Sequence, residues 1–210
     1  AREPEISMCA TFGDLPLYAV HIAFRVGLSS VPGLERWALA PQSALRISGG
    51  PNMTIELSVN GRTVTTGADP STPLIDVLRN HLDLRGTRYG CGLEQCGSCM
   101  VIIDGKADYA CSREVGSVAG RAVTTIEGLA SGDRLHPLQV AFLEEQAGQC
   151  GYCLSGILMC AKALLDRNPT PNRADIVAAL DGNLCRCGAH PRIVRAVEKA
   201  ALAIREGALS

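Results

Sequence analysis

Eight cysteines in two sets of four are the residues best suited to chemistry in this chain. The first set is Cys91, Cys96, Cys99 and Cys111, and it opens with the spacing C-x₄-C-x₂-C. That is the plant-type [2Fe–2S] spacing, in which one compact loop supplies three of the four thiolates. Gly90, Gly92 and Gly97 lie among these ligands. They suit a loop whose amides must point inward at sulfur, because glycine permits the dihedrals this requires. A structural zinc site is the competing reading. Zinc ligands usually come as two close C-x₂₋₄-C knuckles, and Cys111 has no near partner in sequence.

The second set is Cys150, Cys153, Cys185 and Cys187, spaced C-x₂-C, a long gap, then C-x-C. Each pair falls between two predicted helices, so two loops can meet at one end of a bundle and enclose one cluster. A four-cysteine zinc site fits this spacing equally well. A thioredoxin-type redox pair needs a βαβ context, which this helical region lacks. Spacing alone leaves the second set open.

The elements that must position these residues are legible from periodicity. Thr54 to Asn60 alternates apolar Ile55, Leu57 and Val59 with polar neighbours, the pattern of a half-buried strand. Asn60-Gly61 predicts a type I′ hairpin turn, with Thr63 to Thr66 returning as the second strand. Pro73 opens a helix with Leu74, Val77, Leu78 and Leu82 on one face. Gly86 to Cys99 reads as a loop, Cys99–Ile103 and Lys106–Ala110 as a hairpin, and Val123–Ile126 as a last strand. This order predicts a small mixed sheet crossed by a helix, a β-grasp.

After Gly128 the period becomes helical. Helices are expected over Pro137–Ala147, Leu154–Leu165, Arg173–Leu180 capped by Asn172, and from Pro191 through Ala201. The expected fold is therefore α+β: an N-terminal β-grasp, ferredoxin-like [2Fe–2S] domain over 53–127, a linker over 128–135, a four-helix domain over 136–204 that carries the second cysteine set, and a tail over 205–210.

Bulk properties narrow the function classes. The 210 residues carry 20 basic and 21 acidic side chains, and aromatics make up 4%. That balance argues against a nucleic-acid partner, which asks for a basic excess or stacking platforms. No apolar run reaches the length of a transmembrane helix. No serine–histidine–acid arrangement, phosphate loop or dinucleotide fingerprint appears, so substrate chemistry is expected on another polypeptide.

The strings YGCGLEQCGSC, QCGYC and GNLCRCG, in this order, resemble the iron–sulfur component of the molybdenum hydroxylases. That family includes xanthine dehydrogenase, aldehyde oxidoreductase and carbon monoxide dehydrogenase. The likeness covers residues 53–203. The stretch AKALLDRNPTPNRADIVAALDGNLCRCGAHPRI is similar, more narrowly, to the small subunits of bacterial nicotinate and isoquinoline dehydrogenases. Many relatives have Thr-Pro-Gly where this chain has Leu154-Ser155-Gly156.

The resemblance implies one [2Fe–2S] cluster on Cys91, Cys96, Cys99 and Cys111 and a second on Cys150, Cys153, Cys185 and Cys187. It also implies that Gln149 and Cys187 approach the molybdopterin of a large partner subunit. The implied function is electron transfer from that molybdopterin centre through the two clusters to an acceptor, an FAD subunit or a cytochrome c. An aromatic N-heterocycle or an aldehyde would be oxidised on the partner. The expected location is the cytoplasm, with any membrane association through a partner. Carbon monoxide dehydrogenase-type and xanthine dehydrogenase-type small subunits, and a standalone two-cluster redox protein, are the alternatives.

Other polar residues have plainer readings. Cys160 is expected as a small buried hydrophobe, and Cys9 as incidental. His136 is expected to cap a helix or sit at the surface, and His190 to be a solvated loop residue. Arg186 and Arg192 suit either offsetting the charge of a four-thiolate cluster or a surface. Residues 1–52, punctuated by prolines and without periodicity, are expected to lie outside the native protein. Gly49-Gly50 before Met53 is compatible with a purine-rich ribosome-binding sequence read through in frame. A genuine leader or an extra partner contact is the rival reading.

Overall fold

β1 (Ile55–Val59) and β2 (Arg62–Thr66) form an antiparallel hairpin, with Ile55 opposite Thr66 and Val59 opposite Arg62. In this computed structural model, which describes residues 54–207, Asn60 and Gly61 both take positive φ, 51° and 74°. A type I′ turn requires that at both central positions. Ile55, Leu57 and Val59 are buried, and the residues between them face out.

Helix α1 starts after Pro73 over Leu74–Asp76 and widens into a π-helical turn over Val77–His81. The expected helix is therefore present, but its last turn is wider than an α-helix. Leu74, Ile75, Val77 and Leu78 are all completely buried beneath it. Full burial of such side chains stabilises by about 1.5–3 kcal/mol each.

β3 (Met100–Ile103) and β4 (Lys106–Tyr109) form the second hairpin, and β5 (Ala122–Thr124) closes the sheet. The strand order is β2-β1-β5-β3-β4, with β5 parallel to β1 and antiparallel to β3. Several boundaries differ from expectation: β4 stops at Tyr109 rather than Ala110, and the helix that opens at Pro137 stops at Glu144 rather than Ala147. Cys99 precedes β3 rather than starting it, and the last strand ends at Thr124. Beyond it, Thr125 donates its amide to Asn60 Oδ1 at 2.8 Å, and the chain turns into a 3₁₀ helix over Ile126–Gly128. A second 3₁₀ helix, Val115–Val118, carried no periodic signal.

The helical part comprises α2 (Pro137–Glu144), α3 (Leu154–Arg167), α4 (Arg173–Leu180) and α5 (His190–Arg205). α2 packs along α5, and α3 against α4. His136 caps α2, its Nδ1 accepting from the Leu138 amide at 3.2 Å while Gln139 Oε1 accepts from the His136 amide at 2.9 Å. Asn172 and Asp175 make the equivalent reciprocal cap on α4. His190 is the first residue of α5 rather than a loop residue, although it is exposed as expected.

β3 joins the sheet to the helices. Val101 and Ile103 fill the β-grasp core, while Ile102 points the other way and packs with Met159 and Ala163 of α3. Burial on both faces explains why β3 reads as an unbroken apolar run.

Candidate metal centres

The first site grows out of the β3–β4 hairpin. Met100 pairs with Tyr109, and the Ala110 amide donates to the Cys99 carbonyl at 3.2 Å. Hairpin register therefore carries Cys111 back to Cys99 and supplies the partner that Cys111 lacks in sequence. The two thiols lie within hydrogen-bonding reach of each other. Cys91 and Cys96 form the other pair, on a loop that bends through positive φ at Gly92, Glu94 and Gly97. Those bends aim backbone donors at sulfur. The Cys91 amide meets Cys96 Sγ at 3.3 Å, and the Leu93 and Gln95 amides meet Cys91 Sγ at 3.4 and 3.3 Å.

The second site is built from two inter-helix loops. Cys150 and Cys153 lie between α2 and α3, with Cys153 at the N-cap of α3. Cys185 and Cys187 lie between α4 and α5. Cys150 Sγ and Cys187 Sγ are 3.8 Å apart, and Cys153 and Cys185 are within hydrogen-bonding reach. Two thiolates on one tetrahedral metal at about 2.3 Å would stand roughly 3.8 Å apart.

Electrostatics at the thiols differ by position. The Leu93 and Gln95 amides pull the Cys91 thiol down to about 7. Burial pushes Cys99 and Cys153 up to about 12. At Cys185 burial opposes the thiolate, but the Ala189 amide, the Cys153 thiol and the Cys187 and Gly188 amides outweigh it and lower the pKa. Thiols as reluctant to ionise as Cys99 and Cys153 become thiolates when a metal supplies the compensating charge. Each set forms two pairs, a donor arrangement that fits a binuclear cluster.

Two descriptions of known domains match the chain: a 2Fe-2S iron–sulfur cluster binding domain over residues 57–122, and a [2Fe-2S] binding domain over 125–198. One subunit of the nicotinate dehydrogenase of Pseudomonas putida is 55% identical over 148 residues, which span 70% of this chain and 94% of that protein. The chain belongs to the iron–sulfur subunits of the molybdenum hydroxylases. The alpha subunit of isoquinoline 1-oxidoreductase from Brevundimonas diminuta is 50% identical, over 70% of this chain and 97% of that protein. The structure of quinoline 2-oxidoreductase from Pseudomonas putida 86 superposes with a TM-score of 0.71 at 36% identity, covering 74% of this chain and 97% of the matched chain.

Within this iron–sulfur subunit, the remaining predicted residues fall in varied places. Gln149 is exposed beside Cys150 and lines an open groove of about 640 Å³ with Phe142, Leu143, Leu158 and Arg192. Arg186 is exposed. Cys160 is buried in α3, where burial raises its thiol to about 11. Cys9 and the leader lie outside the described residues. No helix among the described residues is long and apolar enough to cross a membrane.

Sequence reasoning passed over the residues that fasten the two sites together. Tyr152 Oη donates to the Tyr89 carbonyl at 2.5 Å, under the guanidinium of Arg88. Buried Asn183 Nδ2 donates to the Gly97 carbonyl at 3.2 Å, and the Leu184 amide to the Cys96 carbonyl at 3.0 Å. The one available hint was their adjacency to the cysteines in QCGYC and GNLCRCG.

Proposed function

We propose that this chain is the electron-relay subunit of a molybdenum-containing hydroxylase, holding one [2Fe–2S] cluster at each set of four cysteines. The single observation that carries the reading is the gathering of eight thiols into four pairs, two pairs per site. When bound, each cluster accepts and gives up one electron at a time. Cys91 with Cys96, and Cys99 with Cys111, would each hold one iron of the first cluster. Cys150 with Cys187, and Cys153 with Cys185, would hold those of the second. The Leu93, Gln95, Ala189 and Gly188 amides stabilise negative charge on sulfur, and burial of Cys99 keeps water from that ligand.

Gln149 and Cys187 would face the molybdopterin of a large partner subunit. The exposed Leu143 beside Gln149 suits a covered interface. The substrate would be an aromatic N-heterocycle or an aldehyde oxidised on that large partner, and the final acceptor an FAD subunit or a cytochrome c. The nicotinate and isoquinoline relatives support the heterocycle. A reducing cytoplasm would keep eight thiols available for metal.

The test is metal analysis with electron paramagnetic resonance on the complex purified from native cells. Four irons and four acid-labile sulfides per chain, with two distinct signals on reduction, are expected. A colourless chain loaded with zinc and free of iron would overturn the reading.

A further inference from the structure

The two sites are built on separate loops, and the exchange of an electron between them depends on how those loops meet. Their meeting point is a seam with Gly97 at its centre. Gly97 lies between the ligands Cys96 and Cys99, at φ 67°. A Cβ there would stand 2.3 Å from Asn183 Nδ2 and 2.7 Å from the Gly182 carbonyl. On its other side, a Cβ on Gly156 of α3 would stand 1.9 Å from the Gly97 carbonyl oxygen. The first-site loop is thus seated between α3 and the 182–184 loop, with room for neither extra carbon.

Asn183 is the side chain that spans this seam. Only 4% of its surface is exposed. It reaches the Gly97 carbonyl of the first-site loop and the Cys160 thiol of α3. Its backbone is anchored as well: its amide donates to the Leu180 carbonyl at 2.9 Å, and its carbonyl lies 3.4 Å from His190 Nε2 at the start of α5. The next residue, Leu184, makes the amide bond to the Cys96 carbonyl and is followed directly by Cys185. One peptide hydrogen bond therefore connects a ligand of the first site to the neighbour of a ligand of the second. The other seam contact, Tyr152 to Tyr89, joins two half-exposed residues. Water competes there, so the buried Asn183 bond holds the seam more firmly.

We propose that Asn183 is a positioning residue that clamps the two cysteine loops together and keeps the Leu184–Cys96 hydrogen bond formed, so that electrons exchange between the sites. This rests on the relay reading above. The exchange moves one electron, makes and breaks no bond, and needs no proton. Removing a buried hydrogen bond of this kind lowers the closed-to-open ratio of the seam about tenfold.

The experiment compares wild type, Asn183→Ala and the isosteric Asn183→Asp in the intact complex. Asp keeps the shape but replaces the amide donor with a carboxylate oxygen facing the Gly97 carbonyl. Three quantities are measured: iron and sulfide content, deuterium uptake of the peptide containing Leu184, and the magnetic interaction between the two reduced centres by electron paramagnetic resonance. Expected for at least one variant are wild-type iron and sulfide, uptake at Leu184 faster by about tenfold, and a weakened interaction signal. Unchanged uptake would overturn the proposal, as would an unchanged interaction signal despite faster uptake. Loss of a cluster from both variants would overturn it too, because Asn183 would then serve ligation rather than alignment. Absence of iron–sulfur signals from the wild type would instead count against the relay reading itself.

Discussion

Gly156→Ala adds one methyl group to the first turn of α3, where, among the described glycines, an added Cβ would meet its nearest neighbour at the shortest distance. The new Cβ would stand 1.9 Å from the Gly97 carbonyl oxygen, 2.9 Å from its carbonyl carbon and 3.1 Å from that of Ser98. All three are backbone atoms, so no side chain can rotate away. Ordinary contact needs about 3.5 Å, and the helix and the cysteine loop must part by roughly 1.5 Å. Overpacking of this kind costs about 1–3 kcal/mol. The loop is held on its other side by the Asn183–Gly97 and Leu184–Cys96 hydrogen bonds, so the displacement also distorts these, at about 1 kcal/mol each. Alanine returns at most about 1 kcal/mol through its better helix propensity. The net loss is therefore about 2 kcal/mol, which lowers the melting midpoint of a domain this size by about 4–8 °C. Thermal melting of the complex, followed by the visible absorption of the clusters, measures it. A variant that melts at or above wild type with both clusters intact would refute the reasoning, since it would mean that α3 and the loop are not in backbone contact.

Three further outcomes are expected. Cys96→Ala and Cys153→Ala should each abolish one paramagnetic signal and leave the other, whereas Cys160→Ala should keep both, with a packing cost of about 1 kcal/mol; iron counts and spectra distinguish them. His136 should make the helical part sensitive to acid. Burial holds its pKa below the ordinary 6.5, with Lys162 adding to the effect, and its neutral Nδ1 accepts the cap bond from Leu138. Because the folded pKa is depressed, the stabilisation is complete above pH 6.5 and is lost as pH falls from there through the folded value. His136→Asn, which keeps an acceptor for the cap but does not titrate, should flatten that part of the pH–stability profile measured by thermal melting.

Local pattern determined much of this protein. The alternation in β1, the Asn60-Gly61 turn, the α4 cap at Asn172 and the 3.6-residue spacing along α5 are properties of neighbours in sequence, so they survive without tertiary context. The gathering of the first cysteine set was legible for a related reason: a loop that brings thiols together over a few residues leaves a fixed spacing, whereas spacing alone left the second set open. The π-helical widening at Val77–His81, the end of β5 at Thr124 and the 3₁₀ turn at Val115–Val118 were not legible, because packing and the Asn60–Thr125 bonds decide them. Tertiary structure alone decided how the cysteines pair. Cys111 meets Cys99 through hairpin register, and Cys150 meets Cys187 only because two inter-helix loops converge. Asn183 and Gly97 are 86 positions apart, and no periodicity links an asparagine in one loop to a carbonyl in another. The contact exists because β3 buries Ile102 against α3, and that packing sets the two cysteine loops edge to edge.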